Sequence, residues 1–352
     1  MSVVLVAAGV FLAWANGAND VSKGIATLVA GGVTGYRRAI LWGTAWALAG
    51  SLAAAFFATA MVATFGSAFV VVGVTPTAAT GLAVVVGAAA WVVIATRTGM
   101  PVSTTHAIVG SLAGVTTAAF GSSAVAWSHV ATKIVLPLLV SPAAGFVATW
   151  LALRVARRAA PAADCICAVV HAPVTTAGAV ASIALEVTTA PAEECATNRG
   201  GLQLRLDHAH WLTSGATSFA RALNDTPKIV ALVVAGGAVG ERALFLGVAL
   251  AMAAGSLMGG LRVSRVLAEE VTTLDHREGF VANAVTSVLV ALGAGFGLPM
   301  STTHVSSTAI VGAGVARGAS FDARTLRHVA LAWVVTLPAS ALLGAAAYGI
   351  AR

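Results

Sequence analysis

The hexapeptide Pro-Val-Ser-Thr-Thr-His at 101–106 returns as Pro-Met-Ser-Thr-Thr-His at 299–304. Each copy places three hydroxyls, Ser103, Thr104 and Thr105 or Ser301, Thr302 and Thr303, directly behind a Gly-x-Pro break. A serine or threonine in that place caps the helix that follows, and the first turn offers backbone N–H groups with no partner inside the helix. Such an N-terminus carries about half a positive elementary charge, which suits an oxyanion. Two of them, facing each other from two halves of one chain, would grip a tetrahedral anion from both sides. His106 and His304 follow one turn later and read more simply as hydrogen-bonded packing residues than as substrate or proton ligands.

Asp20 and Asp225 are the acidic residues that fall deep inside apolar stretches. An uncompensated carboxylate there costs on the order of 3 kcal/mol or more, so each requires a cation, a proton or a basic partner. Lys23 and Lys228 stand three residues further on, near the same helix face, and an internal salt bridge is one reading. The functional reading gives Asn19, Asp20, Asn224, Asp225 and unwound backbone carbonyls a coupling cation. That cation is a proton, or a sodium ion on Asp20 and Asp225, while Lys23 and Lys228 favour the anion. Gly17, Gly24 and Pro227 are consistent with interrupted helices, and Arg221 occupies the position equivalent to Asn16, so the two halves are not chemically equal. A serine hydrolase is a weaker alternative. Ser103 and His106 are one turn apart, but a third orienting group is needed and duplication has no use in that chemistry. An anion channel or a sensor are further alternatives; no enzyme activity and no cofactor beyond the coupling ion are expected.

These residues require a scaffold in a bilayer. Hydrophobic residues make up 58% of the chain and charged ones 9%, with a mean hydropathy of +0.91, far from the roughly one-quarter charged content of soluble domains. Apolar runs near 1–32, 39–62, 66–96, 104–120, 124–153, 209–239, 243–260, 279–298, 303–316 and 328–350 mostly reach the roughly 20 residues of one crossing. Two pairs of them are too broken to span separately and read as re-entrant hairpins. The N-terminus has no basic n-region and reads as a first membrane helix. The formal charge of +7 sits in short segments between apolar runs, which points to orientation in the bilayer and away from nucleic acid.

The motifs belong to a longer repeat. Residues 16–31 (NGANDVSKGIATLVAG) align with 221–236 (RALNDTPKIVALVVAG), and 129–145 align with 328–344, in the same order as the hexapeptides. The chain therefore divides into a membrane repeat 1–156, a linker or small soluble insert 157–207, and a second membrane repeat 208–352. Reading each half as helix, helix, re-entrant hairpin, helix, and placing Arg37 and Arg38 inside, fixes the rest. Arg154, Arg157, Arg158, Arg199, Arg205, Arg262, Arg265, Arg277, Arg317, Arg324 and Arg327 then also lie inside, against Arg242 and Arg352 outside. Lys23, Arg97, Lys133, Arg221 and Lys228 are assigned to membrane depth. The halves come out inverted, with both termini external and the linker cytoplasmic. Stretch 63–81 has no partner in the second half. Cys165, Cys167 and Cys195 match no zinc spacing and read as free thiols of a reducing cytoplasmic loop.

GANDV at 17–21 and the doubled P-x-STTH resemble the inorganic phosphate transporter (PiT) family of secondary transporters, with likeness through both halves and not in the linker. The resemblance implies an all-α polytopic protein of the cell (inner) membrane, with two inverted repeats, broken helices and re-entrant hairpins. It implies a symporter for inorganic phosphate driven by sodium or protons, working as a homodimer. The family's anion site falls on Ser103, Thr104, Thr105, Ser301, Thr302 and Thr303, and its Asn-Asp pairs on Asn19, Asp20, Asn224 and Asp225. Two departures stand out: Lys23 where many members have Asn, and ALNDTPK where GANDV is expected. Relatives of the broad family are also associated with sulfate, so a sulfate or other oxyanion permease is the alternative. Phosphate carries protons that a carboxylate can accept; sulfate at neutral pH carries none.

Overall fold

A computed structural model describes residues 2–57, 59–65, 69–159, 165–171, 184–190, 202–235, 241–270, 274–319 and 321–352. Within hydrocarbon every backbone polar group must be satisfied internally, and the long apolar runs do so as helices. The first half comprises α1 (Ser2–Asp20), α2 (Ser22–Ala30), α3 (Tyr36–Phe57), α4 (Thr59–Phe65), α5 (Ala78–Arg97) and α6 (Thr104–Phe120). A short α7 (Trp127–His129) runs through a π-turn at Val130–Val135 into α8 (Leu136–Ala159). The second half comprises α9 (Leu206–Ala235), α10 (Glu241–Gly259), α11 (Leu261–Arg265) with a π-turn at Val266–Glu270, α12 (His276–Gly295), α13 (Thr302–Arg317) and α14 (Ala323–Ala351). Among the described residues seven helical segments are long and apolar enough to cross a membrane, and the chain is a multi-pass membrane protein. Helix α9, 30 residues long, is longer than all but one of them yet carries Arg221, Asp225 and Lys228 along its buried face.

The two halves interlock by matching contacts. Helix α1 packs on α10 while its counterpart α9 packs on α3; α6 packs on α14 while its counterpart α13 packs on α8. The approach is close because small residues face backbone: a Cβ on Gly17 would collide with the Met252 carbonyl of α10, and one on Gly255 with the Trp14 carbonyl of α1. Membrane helices associate through such small-residue contacts, since lipid gives no hydrophobic drive between them. The main apolar core unites α1, α5, α6 and α9 through Leu12, Val85, Ile108 and Val230, all buried.

Helices α5–α6 and α12–α13 form two hairpins. Each turns through a glycine in the left-handed region, Gly99 (φ 79°) and Gly297 (φ 67°), a conformation that only glycine adopts freely. Stretch 63–81, unpaired in the repeat, contributes the end of α4, and Thr64 Oγ1 donates to the Gly297 carbonyl at 2.9 Å.

Two expectations need correction. Helix α9 is continuous through Pro227, so the second half offers no unwound carbonyls there; α1 and α2 part only at Val21, whose backbone stays near helical geometry. Proline removes one hydrogen bond, yet neighbouring helices hold a membrane helix together across it. Of the five basic residues assigned to membrane depth, Lys23, Arg221 and Lys228 are buried inside the protein, and Arg97 and Lys133 lie at its surface. The insert holds a three-stranded antiparallel sheet in the order β2-β1-β3, with β1 (Cys165–His171), β2 (Ala184–Ala190) and β3 (Leu202–Arg205). Within it Cys165 is buried and disulfide-bonded, not a free thiol; pairing of cysteines cannot be deduced from spacing alone. Cys195 and Arg199 lie outside the described residues.

Candidate functional site

Both hairpin tips end in a capped helix. Ser103 precedes α6 in extended conformation and its hydroxyl accepts from the His106 N–H at 3.3 Å; Ser301 does the same for α13 through the His304 N–H at 3.2 Å. The tips brace each other. Thr105 Oγ1 donates to the Met300 carbonyl at 3.4 Å, and Thr303 Oγ1 donates to the Val102 carbonyl at 2.7 Å, which is the same contact seen from the other half. His106 and His304 come together with ring centroids 4.4 Å apart, and His304 lies 4.0 Å from Trp333. In the first copy His106 Nδ1 is 2.8 Å from Ser103 Oγ.

Lys23 and Lys228 reach into these tips from α2 and α9. Lys23 Nζ pairs with Asp20 Oδ1 and lies 2.8 Å from Asn19 Oδ1, 3.3 Å from the Asn19 carbonyl and 3.3 Å from the Val102 carbonyl. Lys228 Nζ lies 3.2 Å from Asp225 Oδ1, 2.6 Å from Thr105 Oγ1 and 3.4 Å from the Met300 carbonyl, with the Phe65 ring centroid at 5.9 Å. The backbone oxygens on offer thus come largely from the hairpin breaks. The asparagines fasten the same tips: Asn19 Nδ2 donates to the Met100 carbonyl at 3.1 Å and Asn224 Nδ2 to the Met300 carbonyl at 3.0 Å. All of the residues expected in the site, Asn19, Asp20, Lys23, Ser103, Thr104, Thr105, Asn224, Asp225, Lys228, Ser301, Thr302 and Thr303, are buried around this one junction.

Asn16 and Arg221, equivalent positions of the repeat, meet at its centre. Arg221 Nη1 donates to Asn16 Oδ1 at 3.1 Å. Asn16 Nδ2 lies 3.0 Å from Thr104 Oγ1, 3.2 Å from Asp20 Oδ2 and 3.3 Å from Asp225 Oδ2, so one amide gathers both carboxylates and one tip. The other half breaks the pattern. Arg221 Nε and Nη2 and Thr302 Oγ1 are buried with no hydrogen-bond partner among the described residues. An unpaired buried donor costs about 1–3 kcal/mol, more for a charged one. A guanidinium edge and a hydroxyl beside a helix N-terminus are donors for an oxyanion, and arginine matches a tetrahedral oxyanion with two parallel N–H groups. The sequence marked Arg221 as the odd member of its pair but not as a site residue. Its charge inside an apolar membrane stretch was the available signal.

Two interlocked helical repeats with hairpin tips and charged residues buried between them have the construction of a membrane transporter. The model of the phosphate transporter family matches residues 16–344, and the chain belongs to that family. It is 28% identical to a Mycobacterium bovis protein named "Probable low-affinity inorganic phosphate transporter", over 99% of this chain and 77% of that one. A Rhizobium meliloti protein of the same name is 27% identical over 98% and 95% of the two chains. The fold is similar to a solved structure titled "The sodium-dependent phosphate transporter", with a TM-score of 0.80, 23% identity and coverage of 99% and 98%. Membership of a family of transporters sets aside the hydrolase reading, and no third group orients His106 toward Ser103 in the contacts described.

Proposed function

We propose that the protein is a secondary active transporter that imports inorganic phosphate, coupled to an inward cation gradient, by alternating access of one central site between two inverted repeats. The observations that carry the reading are the open donors Arg221 Nε and Nη2, on the side chain that holds Asn16 beside Thr104, and Thr302 Oγ1 in the first turn of α13. The relatives are named for inorganic phosphate transport, and the same anion is the natural occupant here. In this reading Thr104 and Thr302 contact the anion, and Ser103, Ser301, Thr105 and Thr303 hold the tips in shape. Phosphate is favoured over sulfate because Asp20 Oδ2 and Asp225 Oδ2 converge on Asn16, next to Thr104. A carboxylate there accepts from a P–O–H group, and sulfate has no proton to give.

The halves 1–156 and 208–352 are the moving units, and the insert 157–207 is cytoplasmic with both termini outside. Contacts among the residues assigned to the inside agree with their sharing one side of the membrane. Arg157 Nη2 pairs with the buried Glu278 at 2.9 Å and Arg317 Nε with the same carboxylate at 3.3 Å, while Arg265 lies over the Tyr36 ring next to Arg37. The homodimer implied by the family is part of the proposal.

Radiolabelled phosphate uptake into proteoliposomes, with sulfate and arsenate as competitors, tests the substrate and the coupling together. Accumulation above equilibration under an imposed cation gradient, blocked by arsenate and not by sulfate, is expected. Equilibration alone under every gradient would replace the symporter with a channel. Asp20→Asn and Asp225→Asn are expected to abolish accumulation.

A further inference from the structure

A sodium ion takes a shell of oxygens, usually carboxylate, amide and backbone carbonyl. The junction holds two such shells, one in each half, and each already surrounds a cation. Around Lys23 Nζ stand Asp20 Oδ1, Asn19 Oδ1, the Asn19 carbonyl and the Val102 carbonyl. Around Lys228 Nζ stand Asp225 Oδ1, Thr105 Oγ1 and the Met300 carbonyl. The shells share two members: a carboxylate three residues before the lysine, and the carbonyl of the residue between proline and serine in a hairpin break; the two Asn19 oxygens of the first and the Thr105 hydroxyl of the second complete them differently. Both lysines are 1% exposed, so neither ammonium has water to move into.

We infer that Lys23 and Lys228 fill, with their own tethered ammonium groups, the oxygen-lined positions that a sodium ion would need, and that the protein binds and carries its anion without sodium. The inference rests on the anion-transporter reading and narrows the coupling ion within it. Charge supports it independently of geometry. The buried junction contains three cations, Lys23, Arg221 and Lys228, against two carboxylates, Asp20 and Asp225, an excess of one positive charge for an incoming anion. His106 and His304 add no acidic group. A sodium ion about 4 Å from an ammonium would meet repulsion worth roughly a thousandfold in affinity at an effective dielectric near 20. The anion supplies the balancing charge, and the fixed ammonium groups supply what a mobile metal ion otherwise would.

The test uses purified full-length protein. Equilibrium binding of radiolabelled sodium is measured with and without phosphate, and radiolabelled phosphate binding is measured in sodium and in choline salts at one pH. No saturable sodium binding, and phosphate affinity equal in the two salts within about twofold, are expected. Saturable sodium binding, or phosphate binding at least about tenfold tighter in sodium, overturns the inference. Lys23→Asn removes the tethered charge and keeps the oxygens; it is expected to gain saturable sodium binding, and a folded variant that gains none counts against the shell being a cation site. Should phosphate bind in neither salt, the phosphate reading fails, while the sodium measurement on the unmodified protein still decides the present inference.

Discussion

Replacing Asp225 by Asn strips the carboxylate from Lys228 while keeping the shape of the side chain. Lys228 Nζ and Asp225 Oδ1 are 3.2 Å apart and both side chains are almost completely buried. At an effective dielectric of 20 the attraction between unit charges at that distance is about 5 kcal/mol. The asparagine oxygen retains part of it, and breaking one side of a buried pair typically costs about 3–5 kcal/mol. Lys228→Met should cost less, about 2–3 kcal/mol, because Asp225 keeps the Asn224 amide at 2.9 Å and the Asn16 amide at 3.3 Å. The double variant leaves no lone charge, so its loss should fall at least about 2 kcal/mol short of the sum of the singles. Reversible unfolding in mixed micelles, followed by far-ultraviolet circular dichroism as the denaturing detergent fraction rises, supplies the three differences. Additivity within about 0.5 kcal/mol would show that Asp225 and Lys228 do not act as an ion pair in the folded protein.

Two further outcomes follow from the packing and the topology. Gly255→Leu places a side chain against the Trp14 carbonyl and should separate α1 from α10, seen as a large loss of monodisperse protein on size exclusion, whereas Gly247→Leu, at a position with open space, should not. With the insert cytoplasmic, Cys165 should react with an impermeant maleimide, in the presence of a reductant, only in permeabilised cells; labelling in intact cells treated with an impermeant reductant would reverse the orientation.

The site was legible because its residues are expensive where they stand. Asp20, Asp225 and the doubled hydroxyl runs interrupt apolar helices, and a polar residue at membrane depth announces either a partner or a ligand. The hairpins were equally visible, since Gly-x-Pro ahead of a capping serine both ends one helix and starts the next. What stayed hidden depends on which atoms meet across 200 residues of chain. Asn16 reads as an ordinary polar neighbour of the GANDV run until folding sets it between Asp20, Asp225, Thr104 and Arg221. Pro227 suggested a broken α9, but helix continuity there is decided by tertiary packing, which a local propensity does not contain. The strands of the insert escaped notice because short alternating segments carry little signal beside long apolar helices.

The account rests on one anion held between the two hairpin tips and Arg221. A structure determined with phosphate bound tests this most directly. The account predicts an anion within hydrogen-bond distance of Arg221 Nε or Nη2 and of Thr302 Oγ1, next to the N-termini of α6 and α13, with Lys23 and Lys228 still in their oxygen shells. An anion bound elsewhere, with Arg221 and Thr302 unchanged, would contradict it.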